Sequence, residues 1–136
     1  MAAGLGRRRV MTGLVYDTGA LLAAERRDTR IWALHDEALA RDVVPLVPVV
    51  VLAQSWRGGP QASLSRLLRG CRVEPDTEEL GRAAGLACAV AGTSDVVDAI
   101  VTVTALRHDA VVFTSHPGDL GLIADALNAH LRLHSI

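Results

Sequence analysis

Residues 95–106, Asp95-Val96-Val97-Asp98-Ala99-Ile100-Val101-Thr102-Val103-Thr104-Ala105-Leu106, decide how the chain is read. By propensity alone the β-branched residues favour a strand. Length opposes that reading, because twelve residues are long for a strand. Thr93-Ser94-Asp95 is a good helix start, and a buried helix can be apolar nearly all round. The segment is therefore expected to be a buried helix, with Asp95 and Asp98 on one face of its first turn. They are the only acids between Glu79 and Asp109. An ionised carboxylate in so apolar a helix is costly unless a cation or hydrogen bonds compensate it, which makes Asp98 the first candidate functional residue.

With that helix fixed, the flanks fall into alternation. Downstream, Ala110 to Thr114 reads as a strand, Ser115-His116-Pro117-Gly118 as a break, and a helix to Asn128 precedes a last strand at Leu131 to Leu133. Upstream, Leu14-Val15-Tyr16 is a short buried strand that turns at Asp17-Thr18-Gly19 into helix. Ala20 to Ala24 and Ile31 to Ala40 form one broken helix or two short ones. Val43 to Val47 is the second strand candidate, after which Pro48 opens a helix that Gly58-Gly59-Pro60 stops. Gln61 to Leu68 is helical, Cys71 to Val73 is a brief strand, and Thr77 caps a helix that runs to Val90. Such βα alternation predicts an α/β fold, a mostly parallel sheet covered on both faces by helices, with sites at the carboxyl ends of the strands. Residues 1–10 are expected to be a disordered extension ahead of a single domain over 11–136, since Met11 leads directly into the first strand-like run.

Composition narrows the chemistry. Half of the 136 residues are hydrophobic and 21% are charged, which suits one aliphatic core. All 14 basic residues are Arg, so a P-loop, a Schiff-base enzyme and a Lys-dependent receiver site are excluded. Against 15 acids the net charge is -1, giving no overall basic field for long nucleic acid. Cys71 and Cys88 are too few and too far apart for a CxxC motif and read as core hydrophobes. Asp17 interrupts the apolar run after the Arg7-Arg8-Arg9 triplet far short of a signal-peptide core, and Val43 to Ala53 contains two prolines. A soluble, cytoplasmic chain with no membrane association is expected.

Asp17 and the Ser115 to Asp119 loop both lie just past strand ends that face one crevice. Three motifs, Tyr16-Asp17-Thr18-Gly19-Ala20-Leu21-Leu22, the Asp98-Ala99-Ile100-Val101 helix with its Thr104-Ala105-Leu106 ending, and Val112-Phe113-Thr114-Ser115-His116-Pro117-Gly118-Asp119-Leu120, together resemble PIN-domain ribonucleases. Within that family the chain is most similar to the toxins of VapBC-type toxin–antitoxin pairs, and the resemblance covers nearly its whole length. It implies a three-layer α/β/α sandwich, an acidic site for Mg²⁺ or Mn²⁺, hydrolysis of RNA, a cognate antitoxin that blocks it, and a homodimer. Carried over by position, Asp17, Asp98 and Asp119 are the catalytic acids and metal ligands, and Asp95 is an auxiliary ligand. Thr18, Ser115 and His116 stand beside them, His116 where the family more often has Asp or Asn. The remaining family acid falls in Val51-Leu52-Ala53-Gln54-Ser55, where Gln54 replaces the expected Glu and keeps an oxygen but no charge. Hard divalent cations take carboxylate oxygens plus waters and substrate phosphate, and can ready a water for attack on a phosphodiester.

Each residue also has a plain structural use. Asp17 could cap the helix after it, Asp95 could favour a helix dipole, Asp119 could be a first-turn acid after Pro117, and Gln54 a core-edge amide. Arg57, Arg66, Arg69 and Arg72 form the densest basic run, suited to RNA phosphates, to an antitoxin's acids, or to a solvated face. Trp32 and Trp56 read as core or interface. His130 and His134 are four apart, but on a strand and without a third soft ligand. Two other functions stay open: a PIN-fold binding module with attenuated catalysis, motivated by Gln54 and His116, and a metal-dependent DNA nuclease of related fold.

Overall fold

The computed structural model describes residues 13–136. The expectation for residues 1–10 lies outside the described residues. The elements are β1 (Leu14–Tyr16), α1 (Thr18–Glu25), α2 (Thr29–Ala40), β2 (Leu46–Pro48), α3 (Val49–Ser55), α4 (Ala62–Arg69), β3 (Arg72–Glu74), α5 (Glu78–Ala91), α6 (Val96–His108), β4 (Val111–Thr114), α7 (Pro117–Ala126) and β5 (Arg132–Ser135). The five strands form one sheet in the order β3-β2-β1-β4-β5, and every pairing is parallel. The chain builds outward from β1 to one side, then returns through β4 to the other, so the switch in strand order lies between β1 and β4. A crevice opens at the carboxyl ends of strands at such a point.

The apolar segment 95–106 is helical, and its lack of a polar face has a packing cause. Val101 and Ala105 of α6 join the sheet's main core, while Ala99, Ile100 and Val103 pack with Leu80, Ala84 and Cys88 of α5 and Ile123 of α7. Residues Ala99 to Ala105 are all buried. On the other face, Ala20, Leu21 and Ala24 of α1, Ile31 of α2, and Leu64 and Leu67 of α4 cover the sheet, completing three layers. The N-terminal helical stretch is two helices. Arg27 takes a left-handed φ of 62°, and Asp28 caps α2 by accepting from Arg30 N at 2.9 Å.

Several expected boundaries move. β2 is Leu46–Pro48 rather than Val43 to Val47, because Asp42 turns left-handed (φ 60°) and Val43 N–H bonds back to Ala38 O at 2.9 Å, closing α2. Pro48 consequently ends the strand and caps α3 instead of opening it. β5 starts one residue later than expected, with His134 on the strand and its ring 4.9 Å from that of Phe113. Trp32 joins elements: its Nε1 donates to Ala24 O at 3.1 Å and the Arg66 guanidinium lies 4.3 Å from its ring centroid. Trp56, 41% exposed, is not a core residue. Cys88 is buried and Cys71 half-buried. Among the described residues no single helix is long and apolar enough to cross a membrane.

Candidate active site

Asp17 is the residue at which β1 becomes α1. Its backbone N–H donates to Phe113 O at 3.1 Å, continuing the β1–β4 pairing by one step. Its Oδ1 accepts from Thr18 N at 2.7 Å and its Oδ2 from the Thr114 hydroxyl at 2.8 Å. The cap and the site are therefore the same carboxylate, 5% exposed and fixed from both sides. Thr114 Oγ1 also accepts from His116 N at 3.0 Å, so one hydroxyl at the end of β4 orients both Asp17 and the following loop.

Gly19 brings those two segments together. A Cβ there would meet the Ser115 hydroxyl head-on and lie 2.8 Å from Ser115 Cβ, contacts no real side chain makes. Glycine in a first helical turn is otherwise unfavourable. It is present because α1 and the β4–α7 loop approach to backbone distance.

The other acids come from helix starts. Asp95 caps α6, accepting from Asp98 N at 3.0 Å, and Asp98 is the third residue of that helix. Asp119 is the third residue of α7, whose first is Pro117. The start of a helix is a favourable place for a carboxylate, so the same partial positive charge that stabilises each helix lowers the cost of gathering the acids. Gln54, on α3, is tied to the group by the Thr18 hydroxyl, which donates to its Oε1 at 2.6 Å.

Asp17, Asp95, Asp98 and Asp119, with Gln54 and His116, line one open cavity of about 360 Å³. The Asp98 carboxyl is pushed up to about 7, first by burial and then by the Asp95, Asp17 and Asp119 carboxylates around it. No arginine among the described residues lines this cavity. Among the described residues no group of three or more acid, His or Cys side chains is placed to hold a metal ion as the side chains stand. Carboxylate oxygens are nevertheless the donor type that a hard cation such as Mg²⁺ takes, together with waters.

Eight of the expected site positions meet here: Asp17, Thr18, Gln54, Asp95, Asp98, Ser115, His116 and Asp119 all line the cavity. The arginine run does not. Arg72 stands at the amino end of β3, away from the cavity, paired with Glu74 at 2.9 Å. Arg66 stacks on Trp32, and Arg57 donates to the carbonyls of Ala53 and Trp56 at 3.1 and 2.8 Å, closing the end of α3. Among the described residues only Arg72 of the four has a carboxylate partner. Sequence reading missed Thr114 and Gly19. The signal available for Gly19 was a glycine where a helix-forming residue would be preferred; for Thr114 it was a hydroxyl at the last position of a strand.

No protein-family model and no curated protein matches the sequence. Several solved structures match its fold, among them the following two. The first is "Crystal structure of VapBC2 from Rickettsia felis bound to a DNA fragment from their promoter", in which the similar chain aligns with a TM-score of 0.69 at 15% identity, over 90% of this chain and 98% of that one. The second is "Structure of FitAB bound to IR36 DNA fragment", with a TM-score of 0.63 at 17% identity, over 90% and 94%.

Proposed function

From the VapC-like PIN fold of this chain, we propose that it is a metal-dependent endoribonuclease, the toxin of a toxin–antitoxin pair acting in the cytoplasm. The observation that carries this reading is the convergence of four aspartates, from the ends of β1 and the starts of α6 and α7, on one cavity at the switch in strand order. Asp17, Asp98 and Asp119 are the catalytic ligands and Asp95 assists them. A bound Mg²⁺ or Mn²⁺ would supply a water of lowered pKa and charge stabilisation at the phosphodiester. The protein's part is to hold the carboxylates. Thr114 and Thr18 fix Asp17, Asp95 orients the helix that carries Asp98, and the ionised Asp98 carboxylate would be one of the oxygens that hold the cation.

The direct test is cleavage of RNA beside single-stranded DNA of the same sequence, with Mg²⁺, with Mn²⁺ and with chelator. Cleavage restricted to RNA and to added metal, and lost in Asp98→Asn, is the expected result. Activity that persists in chelator sinks the reading, and DNA cleavage replaces it with the DNA nuclease.

A cognate antitoxin is part of the proposal, because the similar structures above are of VapBC2 and FitAB, each bound to a DNA fragment. Arg57, Arg66 and Arg69 are the candidate contacts for its acids or for RNA phosphates, and Arg72 is a more distant one. A homodimer is proposed as well; Leu86 and Leu122, each 69% exposed, offer apolar surface for it. The second reading, a binding module with attenuated catalysis, is favoured by the uncharged Gln54 on the cavity wall. Gln54→Glu separates the two: a large gain in metal affinity and rate from a near-zero baseline supports the binding module, whereas robust wild-type cleavage removes it.

A further inference from the structure

Gln54 stands where the resemblance expects a charged ligand, and its hydrogen bond turns it to a different use. The Thr18 hydroxyl donates to Gln54 Oε1 at 2.6 Å, while Thr18 N holds Asp17 Oδ1 at 2.7 Å. An amide whose oxygen is engaged at one end offers its NH₂ at the other. The reversed orientation would aim an acceptor oxygen at the acids of the cavity, which Coulomb repulsion disfavours. Among the described residues no acceptor bonds the Gln54 amide nitrogen. The result is a neutral donor on the wall of a pocket that holds four carboxylates.

We propose that Gln54 is a substrate-binding residue whose NH₂ donates to a non-bridging phosphate oxygen of the polynucleotide, leaving the cation to the aspartates alone. This rests on the ribonuclease reading above. A polyanion approaching Asp17, Asp95, Asp98 and Asp119 meets like charge, and a Glu at position 54 would add to it. Gln removes one charge and supplies a donor to the phosphate. Thr18 is then a positioning residue, since its hydroxyl decides which end of the amide faces the substrate.

The experiment uses two readouts that do not depend on turnover. Mn²⁺ affinity is measured by calorimetry, and binding of a short fluorescein-labelled single-stranded RNA by anisotropy in saturating Ca²⁺. Gln54→Ala is expected to weaken RNA binding by about 10- to 100-fold, the size of one hydrogen bond to a charged group, with Mn²⁺ affinity unchanged. Gln54→Glu should strengthen Mn²⁺ binding and weaken RNA binding at saturating metal. Thr18→Val should reduce RNA affinity and spare Mn²⁺. A loss of Mn²⁺ affinity in Gln54→Ala would make the residue a metal ligand and overturn the proposal, as would unchanged RNA binding. Wild-type protein that binds Mn²⁺ but no RNA overturns both this assignment and the ribonuclease reading, whereas wild-type binding matched by Gln54→Ala overturns this assignment alone.

Discussion

Asp98 couples the site to pH through its proton. Its carboxyl has an ordinary value of 3.8 and is pushed up to about 7 in the folded chain, so between these values the folded state binds more protons than the unfolded one. Stability without metal should be greatest below pH 3.8 as far as this group is concerned, and should fall as pH rises toward 7. Thermal denaturation in chelator should therefore give a Tm that declines over this range, and Asp98→Asn should flatten the decline. A cation reverses the preference, because it binds the ionised form. Tyr16 and His35 form a second polar pair, this one inside the core, with Tyr16 Oη 2.8 Å from His35 Nδ1. Burial holds the imidazole below its usual 6.5 and the phenol above its usual 10.0, so both are neutral. The sign here is opposite. As pH falls below 6.5 the unfolded chain takes up a proton that the folded one resists, and stability drops. Tyr16→Phe should cost about 1–3 kcal/mol by leaving the buried His35 without its hydrogen-bond partner, read as a shift in urea midpoint at pH 8.

At the scale of elements, the decisive contact is between the start of α1 and the loop after β4. Gly19→Ala places a methyl group against Ser115, and either the loop moves away or α1 does. Destabilisation of about 1–3 kcal/mol is expected from the overpacking, with a loss of Mn²⁺ affinity as Asp17 and Asp119 separate. Ser115→Gly in the same chain removes both the hydroxyl and the Cβ that collide, so the double variant should recover much of both losses. If the double variant stays as weak as Gly19→Ala alone, the contact does not set the spacing of the acids. Helix α6 contributes in another way, since its N-terminal turn faces the cavity while Val101 and Val103 pack into different clusters. Its cap Asp95 therefore carries about 1 kcal/mol of helix stability as well as a negative charge beside Asp98.

At the scale of the whole molecule, a cation in the cavity would join the ends of β1 and β4 to the starts of α6 and α7. Mn²⁺ at a hundred times its dissociation constant should stabilise the fold by about 2.7 kcal/mol, raising the temperature of the entire unfolding transition and leaving it single. Two separated transitions in calorimetry would contradict this. The alternation of strands and helices, the helical state of 95–106 and the candidate acids were legible in the sequence, because period, caps and the cost of a carboxylate in an apolar segment are local properties. The start of β2 was not, because Val43 is claimed by a hydrogen bond to Ala38 that propensity does not register. Nor was the scattering of the arginines: residues close in sequence were dispersed by a helix and a strand to different parts of the surface. The sequence by itself determined which groups could do chemistry here, since residue type fixes charge and donor capacity. Only the tertiary structure decided that Asp17, Asp95, Asp98 and Asp119 share one cavity and that the Gln54 oxygen is taken by Thr18, because those facts depend on parallel pairing and close approach between segments distant along the chain.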